Sequence, residues 1–325
     1  MLEHVKTGEW ADAATAVCCR REAPDTGTLM RRAWRLGTCI PAFNIPYLPM
    51  MGPVVRALRD ADSFGLIMVA RLEWEKFQSG SLEAIRDEYE RVKDPRHTRL
   101  HLDHVPVIDE ADARVDYEEI IGRALMAGYE SVMVDASRLS LTENIACTRR
   151  VVDRAHAAGV PVEAELGAIL GHEAGPLPPY DELFASGRGF TDPEEALHFV
   201  RETGVDWLSV AIGNVHGAIS AARVQKKLEA RLSIERLHEI RDATEIPLVL
   251  HGGTGIPPSY ILDAVRHGIC KINVATAIRQ PYECCMNRSL DEARTGVYRE
   301  VLRLLHEELQ LAGSATRLLG KARTV

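Results

Sequence analysis

No stretch of this 325-residue chain reaches the apolar length needed to cross a bilayer. The first residues, MLEHVKTGEWADA, lack the basic start and apolar run of a secretory signal. The seven cysteines include the neighbours Cys18-Cys19 and Cys284-Cys285 but no C-x-x-C spacing, so neither a disulfide framework nor a thiolate metal site is indicated. These absences point to a reducing, cytoplasmic compartment. A basic stripe is also missing, and the net charge of −8 argues against a nucleic-acid partner. Internal repeats and low-complexity tracts are absent too. Mild acidity leaves room for an anionic substrate, which needs only a few local cations and backbone N–H groups.

A hydrophobic content of 46% with 26% charged residues is that of an ordinary globular protein. The length allows two small domains or one large α/β barrel. Compact runs rich in Val, Ile and Leu predict strands near residues 38–43, 64–70, 98–103, 130–135, 160–165, 206–212, 246–251 and 269–274. Amphipathic segments lie between them. One spans 142–158 and stops at Gly159; another spans 192–203, with Asp192 as N-cap, Pro193 in the first turn and Gly204 as terminator. Eight strands alternating with helices imply a (β/α)8 TIM barrel, with a doubly wound open sheet as the alternative. Residues 1–27 are expected to form a helical N-terminal extension ahead of the barrel at 28–325. The Gly/Pro-rich segment 168–191 and the basic segment 217–232 are long loops on the active face.

Polar residues gather where the predicted strands end: Asp103 and His104, Asp135, Glu163 and Glu165, His216, His251, Asn273 and Thr276. In a barrel, catalytic groups stand at these ends, and the rest of each strand is expected to be apolar filling. If the strands share one barrel, His104, His216 and His251 point into one mouth, where three neutral imidazoles make a zinc site with an open position. His101, His156, His198, His238 and His267 are read as hydrogen-bonded structural residues. Gly252-Gly253-Thr254-Gly255 and Asn273-Val274-Ala275-Thr276 follow strands seven and eight, the usual phosphate cradle of such barrels, although tight turns alone would also use glycine.

With their spacing, HLDH (101–104), SVMVDAS (131–137), TENIA (142–146), VEAELG (162–167), VDWLSVAIGNVHG (205–217), IPLVLHGGTGIP (246–257) and KINVAT (271–276) resemble the class II, zinc-dependent ketose-bisphosphate aldolases. That family includes the fructose- and tagatose-bisphosphate enzymes, and the resemblance runs from about Thr28 to Arg279. It implies that His104, His216 and His251 bind one Zn2+ and that Asp103 is the acid/base at the aldehyde end of the bond being broken. It further implies that Glu173 moves the triose proton and that Gly217, Gly252, Gly253, Thr254, Asn273 and Thr276 hold the dihydroxyacetone phosphate half. Asp135 and Glu165 match acidic positions that support the ligands or serve as alternate metal ligands. The reaction implied is cleavage of fructose 1,6-bisphosphate to dihydroxyacetone phosphate and glyceraldehyde 3-phosphate, a step of glycolysis, through a zinc-stabilised enediolate. A monovalent cation near the phosphate and a homo-oligomer, dimer or tetramer, come with the family. No lysine Schiff base is needed, and Lys271 is expected to be a structural barrel residue.

Several positions depart from the pattern. Ala136-Ser137-Arg138 stands where the family usually has Gly-Ser-His, Arg71 where a phosphate-holding serine is usual, and Ala275 where Asn or Asp is usual. Val105 replaces a smaller or thiol residue, and Leu170-Gly171-His172 replaces a pair of glycines. Arg71 and Arg138 are candidate anion clamps, since guanidinium grips phosphate or carboxylate bidentately; the alternative is that each is an ordinary salt-bridged arginine. These departures keep open the same chemistry on another phosphorylated keto-sugar or keto-acid. A non-catalytic aldolase-like subunit is a third reading, disfavoured by the intact histidine trio and Asp103.

Overall fold

A computed structural model describes residues 24–167, 180–214, 231–252 and 256–320. Eight parallel strands form a closed barrel in sequence order: β1 (Ile40–Asn44), β2 (Gly65–Ala70), β3 (Thr98–Pro106), β4 (Ser131–Asp135), β5 (Val162–Leu166), β6 (Trp207–Val210), β7 (Leu248–Leu250) and β8 (Ile269–Val274). Pairing of Ile40 with Lys271 and of Ala42 with Asn273 closes β8 onto β1. The expected TIM barrel is therefore present, and the open-sheet alternative is not.

Thirteen α-helices surround it among the described residues. They are α1 (Thr26–Arg35), α2 (Met51–Asp60), α3 (Arg71–Glu75), α4 (Leu82–Val92), α5 (Tyr117–Ala127), α6 (Leu141–Ala157) and α7 (Tyr180–Ser186). The rest are α8 (Pro193–Thr203), α9 (Ile234–Thr244), α10 (Pro258–Arg266), α11 (Thr276–Cys285), α12 (Leu290–Arg303) and α13 (Ser314–Leu319). None of the described helices is long and apolar enough to cross a membrane. The start and stop signals act as the sequence suggests. Asp192 accepts from the backbone N–H of Glu194 and Glu195 at 2.9 and 3.0 Å, and Gly204 closes α8 at φ +68°. Ser140 and Glu143 cap α6 reciprocally, and the turn that follows uses Gly159 at φ +71°. Residues 1–23 of the expected extension lie outside the described residues, and Thr26 and Gly27 already belong to α1. Within the segment expected as one long loop, α7 forms.

The core has two parts. Outward strand residues such as Phe43, Ile67, Leu102, Val134, Ala164 and Leu250 pack under the helices. Inward residues Ile40, Ala42, Leu66, Met68, Trp207 and Val249 join Leu29, Met30 and Ala33 of α1 and Ala315 and Leu318 of α13. The α13 end is tied to the entry of β2, where the Ser314 hydroxyl accepts from Phe64 N–H at 3.1 Å. This second cluster fills the N-terminal end of the barrel.

Above the apolar plug the filling changes character. The expectation of apolar residues below the strand ends is corrected at His101 and Lys271, which with the already noted Glu163 are 0% exposed and lie one pleat below Asp103, Asn273 and Glu165. They are tolerated there because each is partnered by an opposite charge or a polar group.

Candidate metal centre

Asp103 and His104 are neighbours on a strand, and a regular strand would send them to opposite faces. The β3–β4 register shifts between Leu102 and Val105, and His104 adopts φ +36°. This bulge turns both side chains toward the mouth. A left-handed backbone at a non-glycine residue costs about 1–3 kcal/mol; the offset comes from the ladder on either side and from Met133 Sδ, 3.4 Å from His104 N. Sequence adjacency alone would not have produced the arrangement.

His251 follows the short β7 and is completely buried. Its Nε2 lies 2.8 Å from Glu163 Oε1, its Nδ1 lies 3.2 Å from Glu165 Oε2, and its ring centre is 4.5 Å from that of His104. Asp135 Oδ2 is 3.5 Å from His104 Nδ1, while Asp135 Oδ1 accepts from the N–H and hydroxyl of Ser137 at 3.1 and 2.7 Å. One ligand atom each from His104, Glu165 and His251 lie within 4.8 Å of one another. Two imidazoles and a carboxylate at that spacing suit a divalent ion such as zinc. His216, Glu173, Gly217, Gly253 and Thr254 lie outside the described residues. Gly252 (φ +65°) follows His251 directly, and Thr276 opens α11 just past β8, so both stand at the same end of the barrel.

Asp103 is 1% exposed, and its ligand atom groups with those of His101 and Glu163, not with that trio. Asn273 Nδ2 donates to both its oxygens at 3.1 and 3.2 Å, and Lys271 Nζ lies 3.4 Å from Oδ1. Burial pushes this carboxyl up, but Lys271 and His104 outweigh it and hold Asp103 well below the ordinary carboxylate range. For His104, burial opposes the charge, yet Asp103, Asp135 and Glu165 raise it to about 10. His251 is raised as well: burial and His104 oppose its charge, and Glu163 and Glu165 prevail. Carboxylates thus dominate the mouth and attract positive charge. An ion bound through the imidazoles competes with protons for the same nitrogens.

Residues 25–318 match the family Fructose-bisphosphate aldolase class-II, and this decides the assignment. The chain belongs to that family. It is 42% identical over 177 residues to the fructose-bisphosphate aldolase of Geobacillus stearothermophilus, an alignment covering 54% of this chain and 53% of that protein. The chain thus spans about half the length of that curated relative. Among solved structures, the YdjI aldolase of Escherichia coli K12 superposes with a TM-score of 0.69 at 29% identity, covering 90% of this chain and 99% of the other. The fructose-bisphosphate aldolase of Campylobacter jejuni shares the fold, with a TM-score of 0.66 at 19% identity over 88% of this chain and 95% of that one.

Against that family background the two unusual arginines are both engaged. Arg71 opens α3 directly after β2; its Nε is 2.8 Å from Glu75 Oε1 and its Nη1 is 3.4 Å from Asp109 Oδ2. Arg138 donates to the Asp109 carbonyl and, at 2.6 Å, to Asp112 Oδ1. Both therefore grip the β3–α5 connection, which matches the salt-bridged alternative for their ground state.

Three site features escape a reading of the sequence. Glu163 and Lys271 meet across the barrel, with Nζ 2.9 and 3.0 Å from the two carboxylate oxygens. Glu73, in α3, folds back to accept from the Ala70 backbone N–H and from Asn44 Nδ2, the latter at 3.3 Å. Asn44 could have been found, since it is polar at the end of β1; Glu73 sits in ARLEWEK, which reads as a surface helix. Burial first, and Asp103 second, lift Glu73 to about 8 from an ordinary 4.5. Between those values the folded chain holds one more proton than the unfolded chain, so stability falls as pH rises through that window. Glu73→Gln should flatten this dependence: unchanged melting near pH 5, and a gain on the order of 3 kcal/mol at pH 9. Thermal melts across that range check it; parallel pH profiles for the two proteins would remove Glu73 as the cause.

Proposed function

We propose that the chain is a metal-dependent aldolase cleaving or forming a ketose phosphate, with dihydroxyacetone phosphate as one product. The observation that carries this is the placement of Asp103 beside, and separate from, the His104–Glu165–His251 trio. A metal-binding site for structure alone would have no use for a buried, ionised carboxylate pinned next to it.

His104 and His251, with His216 as the third imidazole, would hold the ion, and Glu165 would serve as an alternate ligand; Asp135 would fix the His104 ring. The bound ion, taken to be zinc, would supply the electrophile that stabilises the negative charge left when the carbon–carbon bond breaks. Asp103 would take the proton from the C4 hydroxyl in cleavage and return it in condensation. Asn273 holds Asp103 by its amide N–H, while its Oδ1 is buried without a partner among the described residues and suits a substrate hydroxyl. Gly252 and Thr276, with Gly217, Gly253 and Thr254, would surround the phosphate, a monovalent cation beside it, and Glu173 would handle the triose proton. A cytoplasmic homo-oligomer is part of the same reading.

Fructose 1,6-bisphosphate is the first substrate to try. The engagement of Arg71 and Arg138 with the β3–α5 connection favours also trying other ketose phosphates and phosphorylated keto-acids, since an anionic acceptor end would compete with Asp109 for Arg71. The test is release of dihydroxyacetone phosphate from such a panel by zinc-loaded protein, with a chelator control. Turnover on one member supports the reading; a protein that carries metal and cleaves none of them contradicts it. If Arg71 grips the acceptor end, Arg71→Ala should raise KM for the best substrate by about 10-fold or more, the loss of one charge-assisted contact. Unchanged kinetics would make Arg71 a loop anchor only.

A further inference from the structure

Beneath the mouth, His101, Asp103 and Glu163 also bring ligand atoms within 4.8 Å of one another, all of them buried. This second cluster already contains a cation: the Lys271 ammonium lies 2.9 and 3.0 Å from the oxygens of Glu163 and 3.4 Å from Asp103 Oδ1. A divalent ion here would sit against a fixed positive charge, so the cluster is a lysine site. Glu163 is its centre. Its Oε1 meets His251 Nε2 at 2.8 Å, its Oε2 accepts from Trp207 Nε1 at 2.6 Å, and His101 Nε2 is 3.5 Å away. His101 is itself fixed by Ser131, whose hydroxyl is 2.9 Å from its Nδ1.

Followed upward, the contacts reach both working parts of the mouth. Glu163 takes one nitrogen of the His251 ring from below, which leaves Nδ1 as the ring atom on the Glu165 side, 3.2 Å from Oε2. Lys271 takes one oxygen of Asp103, and Asn273 takes both. An imidazole that binds a metal through one nitrogen is aimed by whatever its other nitrogen bonds. A buried ion pair contributes little net stability but leaves few alternative geometries.

We infer that Lys271 and Glu163 are positioning residues: their ion pair aims the His251 ring at the metal and holds Asp103 beside it, coupling the ligand to the proton-handling carboxylate. The inference rests on the metal reading above. It also changes the expectation for Lys271, whose part extends beyond filling the barrel.

Cobalt(II) titration against a competing chelator, with the absorption spectrum of the bound ion, tests this on four full-length chains: wild type, Glu163→Gln, Lys271→Met and the double variant. Thermal melts of the metal-free proteins accompany it. Glu163→Gln should weaken cobalt binding by about 10–100-fold and shift the visible bands. Lys271→Met leaves two buried carboxylates uncompensated and is expected to melt lowest. The double variant removes both charges and should regain thermal stability while keeping the weakened affinity and altered spectrum. That separation of stability from metal geometry marks positioning. Wild-type affinity and spectrum in Glu163→Gln and in the double variant would overturn the inference and leave the metal site standing. A wild-type chain that binds no cobalt would overturn the metal reading itself, and this inference with it.

Discussion

Asp103→Asn is expected to lower kcat by about 10²–10⁴-fold, the range of a lost general acid/base, with metal content and KM little changed. The substitution is close to isosteric, so the bulge at 103–104 and the contacts around it persist. The amide can still meet Lys271 and Asn273, the latter after its own amide turns over. What disappears is a carboxylate whose ionisation Lys271 and His104 secure against the opposing pull of burial. Because its affinity for protons is held low, Asp103 is ionised throughout the neutral range and ready to accept. The ligand trio does not include it, so cobalt or zinc should bind at one ion per chain as before. Steady-state kinetics on metal-loaded protein, with metal analysis of the same sample, give the result. A loss confined to metal content would make Asp103 a ligand; kcat within a few-fold of wild type would end its catalytic assignment.

His251→Ala should abolish tight metal binding and activity together. An outer partner of a metal ligand costs about 10–100-fold in affinity when lost, and a ligand itself should exceed that. Removing the ring also strips Glu163 and Glu165 of a shared neighbour at 2.8 and 3.2 Å. Lys271 and Ser209 still reach those two oxygens, but each carboxylate loses a hydrogen bond to a charged group, about 1.5–3 kcal/mol, so a lower melting temperature accompanies the loss of metal. His104 gives a second readout. Its raised proton affinity owes nothing to His251 and comes from Asp103, Asp135 and Glu165, so the His104 imidazole should stay protonated at neutral pH in the metal-free variant, as proton NMR can show. A variant that folds and still carries one tightly bound ion would show that His251 is a core histidine.

Much of the fold was legible because parallel barrel strands are buried on both sides and read as short apolar runs. The runs near 64–70, 130–135 and 269–274 became β2, β4 and β8 with shifts of at most one residue. Helix ends were legible where a side chain caps locally, as at Asp192 and Ser140. The site was legible only in part. The strand-end rule found Asp103, His104, Asp135, Glu165, His251 and Asn273, because those positions follow from the fold. It could not find the bulge, which arises from the offset between β3 and β4, or the extension of β3 to Pro106 past the expected end at 103. Nor could it pair Lys271 with Glu163, which are 108 residues apart in sequence. The arginines show the same limit from the other side: guanidinium chemistry permits an anion clamp, and only the placement of Asp109 and Asp112 reveals what each holds.

This mouth, with an ion bound, is expected to labilise a proton on the three-carbon half of a ketose phosphate. Proton NMR of dihydroxyacetone phosphate in heavy water tests it without any knowledge of the aldehyde partner. Metal-loaded protein should replace one of the two protons on the hydroxymethyl carbon with deuterium, and a chelator should stop the exchange. Absence of exchange by protein carrying one tightly bound ion per chain would contradict the account at its base.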